Sequence, residues 1–400
     1  MAKLTSHQSR PLSELLPPLI LGTATFNTQY VSDPLQMPYR RIVSRALELG
    51  VTAFDTSPYY GPSEVLLGDA LAAVQEAGVS RESYAIITKA GRIAPKVFDY
   101  SPAHIRFSIL RSLERLHTSY LDLVYLHDVE FVSPLEVLEA VRELRRLPQV
   151  RAVGISGFPV LVLCDLAEMI MQETGVPLDA VLSYGHFTVQ NCSLARSEVM
   201  GVTDDLTSPV QRLKAAGVDV VLNASMLNMG LLTSTGIPPD PSPKAESSSD
   251  SPLAKWHPSP PALRLTCKTL AEKVAAAGDR LEAVAIRWSL YEWARVGTLA
   301  GVGIELPGMP GVTVGGSVMG VTSVDELEET VLEWEGVLEA LESQTDPNAL
   351  SLSSSRSKID SASKLVREVL WPALGEWKDY SWASPEPGFV NERVVQRSSI

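Results

Sequence analysis

Eight short aliphatic runs, each followed by a stretch with helical spacing, constrain this chain more than any other feature. The runs fall at residues 19–23, 51–55, 84–89, 121–127, 150–156, 180–184, 219–225 and within 311–320. Most stop at a polar residue, as a strand buried on both faces does where it reaches solvent. Between them, residues 38–49 put Ile42, Ala46 and Leu49 on one face, with Gly50 placed to close the helix. Residues 64–77 read as the next helix, and Ser101-Pro102 opens another with a cap followed by proline. Ser133-Pro134-Leu135-Glu136 is a capping box, and residues 324–341 form a last helix. Strands and helices alternating in this way predict an α/β fold, a (β/α)8 TIM barrel with long loops at its C-terminal rim. An open, doubly wound sheet is the alternative. The ring is favoured because no Gly-x-Gly-x-x-Gly follows the first run and because polar strand ends recur around many units.

At 400 residues, 45% hydrophobic and 20% charged, the chain can bury a barrel-sized core. The expected organisation is a flexible segment at 1–16, a barrel at 17–342, and a Ser-rich segment with a tail at 343–400 that covers the barrel mouth. A Pro- and Ser-rich insert occupies 236–261. Within it, 242–251 is expected to be mobile and dispensable, whereas Trp256-His257-Pro258 is expected to order near the mouth. Residues 343–363 are likewise expected to be mobile.

A net charge of −13 argues against nucleic acid as a partner. No run of about 20 apolar residues exists, so no membrane span is expected. The first ten residues lack a hydrophobic signal region. The three cysteines, Cys164, Cys192 and Cys267, have no paired spacing, which argues against disulfides and a structural metal and for a reducing compartment. A cytoplasmic protein is expected, a monomer or alternatively a homodimer.

Three successive strand ends carry chemistry. Asp55 and Tyr60 lie in Phe-Asp-Thr-Ser-Pro-Tyr-Tyr-Gly, Lys89 closes Tyr-Ala-Ile-Ile-Thr-Lys, and His127 falls near the end of Leu-Asp-Leu-Val-Tyr-Leu-His-Asp. A free phenol, with a pKa of about 10, is a poor proton carrier at neutral pH. A nearby ammonium favours its ionised form, so Lys89 is expected to lower the Tyr60 pKa. Asp55 would anchor the lysine, and His127 would grip the reacting oxygen. Taken singly, Asp55 reads as a turn residue, Lys89 as a surface charge, His127 as a satisfied buried histidine and Tyr60 as loop packing. Their order at successive strand ends favours the functional reading.

With these four residues in place, the chain resembles the aldo-keto reductase superfamily, from about residue 19 to 341. Leu21-Gly22-Thr23, Ser63-Glu64-x-x-x-Gly68, Val153-Gly154-Ile155-Ser156 and Arg287-Trp288 support the resemblance. Within the superfamily the chain looks most like the dehydrogenases of D-arabinose or L-galactose. That likeness rests on Asp-Thr-Ser-Pro-Tyr-Tyr-Gly, Leu182-Ser183-Tyr184, Met229-Gly230-Leu231-Leu232-Thr233 and Trp256-His257-Pro258. The resemblance implies Tyr60, Lys89, Asp55 and His127 as the catalytic set, and Tyr60, His127 and Trp256 as substrate contacts. It implies NAD, with NADP as the lesser alternative, held by Gly22, Thr23, Asp55, Ser156, Gly157, Ser183, Ser225, Leu227, Gly320, Thr322, Ser323 and Glu326. Three positions depart from the commoner reductase pattern: Gly157 replaces an Asn, Ser183 a Gln, and Ala224 the aromatic that stacks on nicotinamide. Gly320 and Glu326 stand where NADP-preferring members carry Lys and Arg.

Several further residues have two readings. His186 and Asn191 either reach a substrate or serve the loop after the sixth strand. His257 either folds the insert over the site or packs at the surface. Trp371, Trp377 and Trp382 either cap the mouth or pack on the barrel wall. His104, His117 and Cys164 are assigned no function. The favoured activity is oxidation of an aldose C1 hydroxyl to the aldonolactone with NAD. An NADPH-dependent carbonyl reductase and a cofactor-binding subunit without turnover are the alternatives.

Overall fold

The eight aliphatic runs pair into one closed parallel ring in chain order, in a computed structural model that describes residues 11–202, 205–238, 252–306, 311–345 and 354–393. The strands are β1 (Leu19–Gly22), β2 (Ala53–Asp55), β3 (Ala85–Ala90), β4 (Leu123–His127), β5 (Val153–Gly157), β6 (Ala180–Tyr184), β7 (Val220–Ala224) and β8 (Gly316–Gly320). The ring closes through β1 and β8, with Gly22 level with Gly320 on one side and with Asp55 of β2 on the other. Further round, His127 is level with Ser156.

Side chains alternate across each strand, so one residue in two points into the barrel. Ile20, Ala53, Ile87, Leu123, Tyr125, Leu182, Leu222 and Val318 belong to the interior cluster. Tyr125 is fully buried beside Gly154, where a Cβ would meet its ring at 2.8 Å, so a small residue opposite a large one fills the barrel. The alternate residues, such as Leu21, Phe54, Ile86, Val124 and Ile155, pack outward against the helical layer.

The outer layer is α1 (Tyr39–Glu48), α2 (Ser63–Glu76), α3 (Pro102–Arg115), α4 (Pro134–Leu144), α5 (Val160–Thr174), α6 (Pro209–Ala215), α7 (Pro261–Ala276), α8 (Leu281–Ala300), α9 (Val324–Thr345) and α10 (Ser354–Leu365). The capping box at Ser133 forms, and Ser101 caps α3 by accepting from the His104 amide. No helix among the described residues is long and apolar enough to cross a membrane.

Three regions differ from the sequence expectation. Residues 11–16 are not a loose leader: Leu12 and Leu16 are buried in the interior cluster, and Ser13 holds Asp219 through its amide (2.9 Å) and hydroxyl (2.8 Å). Their i, i+4 spacing puts both leucines on one side of a helical turn that plugs the barrel floor. The second half of the 343–363 segment is helix α10, because Ile359, Ala362 and Val366 form a buried stripe at helical spacing. A two-stranded ribbon, Arg92–Ala94 with Val97–Phe98, stands above β3 and was not expected. The stretch 242–251 lies outside the described residues.

The tail crosses the C-terminal face of the ring. The Gln190 side-chain amide donates to Trp377 O (2.6 Å) and Tyr380 O (3.1 Å), Trp382 stacks on Phe158 at 4.7 Å, and Asn391 bonds the Phe98 backbone in both directions. Of the tryptophans named from the sequence, Trp382 joins the mouth, whereas Trp371 packs edge-on to Trp288 at the barrel wall.

Candidate active site

Strand parity brings Asp55, Lys89 and His127 to one rim. Lys89 is almost fully buried, its ammonium paired with the Asp55 carboxylate and donating to Thr56 O at 2.9 Å. Asp55 Oδ2 is buried without a hydrogen-bond partner among the described residues. Burial pushes the Asp55 pKa up, and Lys89 pulls it down. Behind the pair, the Ser63 hydroxyl meets Thr23 Oγ1 (2.7 Å) and Thr56 Oγ1 (3.0 Å), while Glu64 accepts from Thr88 (2.7 Å) and Arg115 (3.1 Å). These bonds lock the start of α2 to the ends of β1, β2 and β3.

Tyr60 stands over this pair, held by a turn in which its amide donates to Ser57 O at 3.1 Å. Its ring meets His127 edge to face, 5.5 Å between centroids at 89°. The Tyr60 hydroxyl makes no hydrogen bond among the described residues. The expected lowering of its pKa by Lys89 is not what the structure gives. Burial drives the Tyr60 pKa well up, Asp55 and Asp128 add to the rise, and the opposing cation is Arg92. The Lys89 charge already faces the Asp55 carboxylate. His127 is driven down to about 3 by burial, so its imidazole is neutral at ordinary pH. A neutral imidazole beside a protonated phenol can offer two hydrogen-bond donors to one oxygen.

Arg92, three residues past Lys89, was not singled out in the sequence. Its guanidinium pairs with Asp128, donates to Tyr59 Oη at 3.1 Å and lies 3.9 Å over the centre of the Tyr59 ring. Asp128 has a left-handed backbone, φ 58°. The sequence signal for this cluster was only the acid beside His127.

An arc of aromatic contacts surrounds the mouth. From the loop after β1 it runs Tyr30 to Trp256 (5.5 Å), His257 (5.7 Å), Trp382 (5.4 Å), Phe158 (4.7 Å) and Tyr184 on β6 (5.4 Å). Both ends lie close enough to Tyr60 for their phenols to influence one another. Trp256 donates to Gln29 O at 2.8 Å, which fastens the end of the insert to the first loop. His257, with its pKa lowered to about 4 by burial, bridges Ser259 Oγ (2.8 Å) and Asn228 O (3.1 Å). It bolts the insert down. Ser381 reaches both His186 Nε2 (3.3 Å) and the Asn191 side chain (2.9 Å), so these two serve the tail's seat.

The implied cofactor residues are brought together unevenly. Gly22, Gly320 and Ser156 stand at the rim, and Ser225 and Leu227 lie in the loop just past β7. Thr23 and Ser183 are fully buried with their hydroxyls engaged, Thr23 to Asp55 O (3.0 Å) and Ser183 at His186 Nδ1 (3.3 Å). Neither side chain faces the mouth, because strand parity turns Ser183 outward and presents Tyr184. The space that a side chain at Gly157 would enter is filled by Glu130 Oε2, 2.5 Å from a Cβ there. Thr322 donates to Glu326 through its amide (2.6 Å) and hydroxyl (2.9 Å), and Ser323 accepts from the Glu326 amide at 3.2 Å. The donor set suits a dinucleotide. Ser225, Asn228 and Met229 take left-handed backbones, and the Met226 and Leu227 amides have no protein partner among the described residues. Such turns, with the N-terminus of α9 close behind β8, cradle phosphate oxygens.

The sequence profile of the Aldo/keto reductase family matches residues 18–344. The chain belongs to that family. The family uses nicotinamide cofactors. The chain is 37% identical to a D-arabinose 1-dehydrogenase of Saccharomyces cerevisiae over 316 residues, covering 78% of this chain and 81% of that one. It is 33% identical to an L-galactose dehydrogenase of Arabidopsis thaliana over 318 residues, covering 77% and 86%. Among solved structures, a glycerol dehydrogenase of Gluconobacter oxydans shares the fold, with a TM-score of 0.52, 20% identity and coverage of 94% and 95%. The oxidoreductase class follows from the family, and the barrel from the ring of strands.

Proposed function

We propose that this protein is an NAD-dependent aldose 1-dehydrogenase, which oxidises the C1 hydroxyl of a sugar of the D-arabinose or L-galactose type to the aldonolactone. The observation that carries the reading is Tyr60 set edge-on to His127 at 5.5 Å above the buried Lys89–Asp55 pair. The names of the two sugar dehydrogenases support the substrate class. The aromatic arc supports it as well, since flat rings suit the C–H faces of a pyranose while leaving its hydroxyls to polar groups.

When bound, a nicotinamide dinucleotide supplies the hydride acceptor for C1. The chain's own residues do the rest. His127 donates to the C1 oxygen and fixes its position. Tyr60, as the phenolate, takes the proton from that oxygen as C1 gives up its hydride, so the loss of one hydride and one proton leaves the lactone carbonyl. Arg92 is the cation that favours the phenolate, while Lys89 lies beneath the ring and is held by Asp55. Trp256 and Trp382 close the mouth over the sugar and exclude water.

NAD preference is read from α9. Neither Gly320 nor Glu326 can grip a 2′-phosphate, and the exposed Asp325 and Glu326 repel one. Arg45 and Arg280, which reach this helix, are already paired with Glu328 (2.7 Å) and Glu329 (2.8 Å).

A panel of aldoses with NAD, run beside a panel of aldehydes and ketones with NADPH, tests the proposal. Catalytic efficiency should be highest for a C1-hydroxyl sugar with NAD and should fall at least tenfold after Trp256→Ala. Higher efficiency in carbonyl reduction with NADPH would overturn it.

A further inference from the structure

We propose that Ser57 is a positioning residue that holds the neutral His127 ring in the tautomer with its hydrogen on Nε2. The proposal rests on the reading of His127 as the donor to the reacting oxygen. Ser57 is fully buried. Its hydroxyl oxygen accepts from the Tyr59 amide at 3.1 Å and lies 3.0 Å from His127 Nδ1. A serine hydroxyl has one hydrogen to give. Among the described residues, His127 Nδ1 is the only acceptor within reach of it. If Nδ1 carried the ring hydrogen, Ser57 would face two N–H donors, and its own hydrogen would be buried without an acceptor. The bond therefore runs from Ser57 to Nδ1, and Nε2 carries the hydrogen.

Burial keeps the ring neutral, so this tautomer decides whether Nε2 donates or accepts. Nε2 lies 3.7 Å from Asp128 Oδ2, too far for a hydrogen bond, and that carboxylate is engaged by Arg92. The remaining charged neighbour, Lys89, points at Asp55 and Thr56. Ser57 is thus the group that fixes the choice. The same turn holds Tyr60, whose amide donates to Ser57 O at 3.1 Å. One residue thereby sets the proton carrier through its backbone and the hydrogen-bond donor through its side chain. Removing the hydroxyl leaves the backbone bond in place.

The experiment is nitrogen-15 NMR of the full-length protein with labelled histidine, the His127 signals being assigned by their loss in His127→Gln. In the wild type, Nε2 should be the protonated nitrogen. Ser57→Ala should give a mixture of the two tautomers and a kcat for sugar oxidation at least about tenfold lower, with KM for NAD unchanged. Protonation on Nδ1 in the wild type, which needs no variant to observe, overturns the proposal. So does a Ser57→Ala protein with unchanged tautomer and unchanged kcat. If His127→Gln itself retains sugar oxidation, the functional reading of His127 fails, whatever the tautomer measurement says about Ser57.

Discussion

The Lys89 ammonium lies beneath the face of the Tyr60 ring, 5.0 Å from its centroid, and its short contacts go to Asp55 and Thr56. The lysine therefore faces the ring but is engaged elsewhere, and its first structural duty is to neutralise a buried carboxylate. Replacing it with methionine leaves Asp55 buried and unpaired, at a cost of about 3–5 kcal/mol. Lys89→Met should lower the urea midpoint accordingly and abolish turnover. Adding Asp55→Asn should restore most of the stability and none of the activity. Equal instability of the single and double variants would show that the pair is not the cause.

Tyr60→Phe removes only the phenolic oxygen, so turnover should drop by ~10²–10⁴ with cofactor binding retained. Tyr59→Phe should keep most of the activity, because its hydroxyl is committed to Arg92. Near-normal turnover in Tyr60→Phe, measured beside cofactor titration, would assign the wrong tyrosine.

Burial holds the Tyr60 pKa high, so its phenolate fraction, and with it sugar oxidation, grows as pH rises above neutral. Arg92 pulls that pKa down and so favours the phenolate. Arg92→Met removes the cation and frees the Asp128 carboxylate, and both changes raise the phenol further. The rising limb of the kcat profile should move to higher pH by on the order of one pH unit. A limb that stays put would exclude Arg92 as the tuning charge.

Glu326→Arg should improve catalytic efficiency with NADP relative to NAD, by adding a planar cation beside Gly320. The substitution also removes the carboxylate that Thr322 holds, so some loss of helix capping should appear as a lower Tm. A wild type that prefers NADP, or no shift in the ratio of efficiencies, would refute the loop assignment.

Glu130 ties the tail to the barrel, accepting from Ser384 Oγ at 2.8 Å and from the Phe158 amide at 3.2 Å. Burial and the neighbouring Asp128 raise its pKa to about 8. A carboxyl that holds its proton more tightly when folded loses that contribution as pH climbs from the ordinary range, about 4.3, through the folded value. Glu130→Gln should therefore shrink the fall in Tm between pH 5 and pH 8. An unchanged fall would place the pH dependence elsewhere. Gly157→Asn should be poorly tolerated alone and better tolerated with Glu130→Ala, since Glu130 occupies that space.

The barrel was legible because its signals are local. The 3.6-residue spacing, the short aliphatic runs and the Ser133 and Ser101 caps mark helices and strands without reference to the rest of the chain. Strand ends moved by a residue or two, as at residues 51–55, where pairing begins only at Ala53. The N-terminal plug carried a readable sign in the spacing of Leu12 and Leu16, and α10 carried one in Ile359, Ala362 and Val366. Composition hid both, because Ser-rich and terminal stretches read as loose. Arg92 gave almost no sign, since an arginine near a strand end is ordinarily a solvated charge.

The sequence by itself determined which strand faces meet: alternation along each strand points Asp55, Lys89 and His127 inward at the rim, whatever surrounds them. Only the tertiary structure decided what those groups are worth. Ser57 and His127 are 70 positions apart, and Trp382 reaches Phe158 from the tail, so neither contact has a local signature. The protonation states follow the same division. A pKa depends on burial and on charges brought close by folding, and that is why Tyr60 is driven up where the residue pattern alone pointed down.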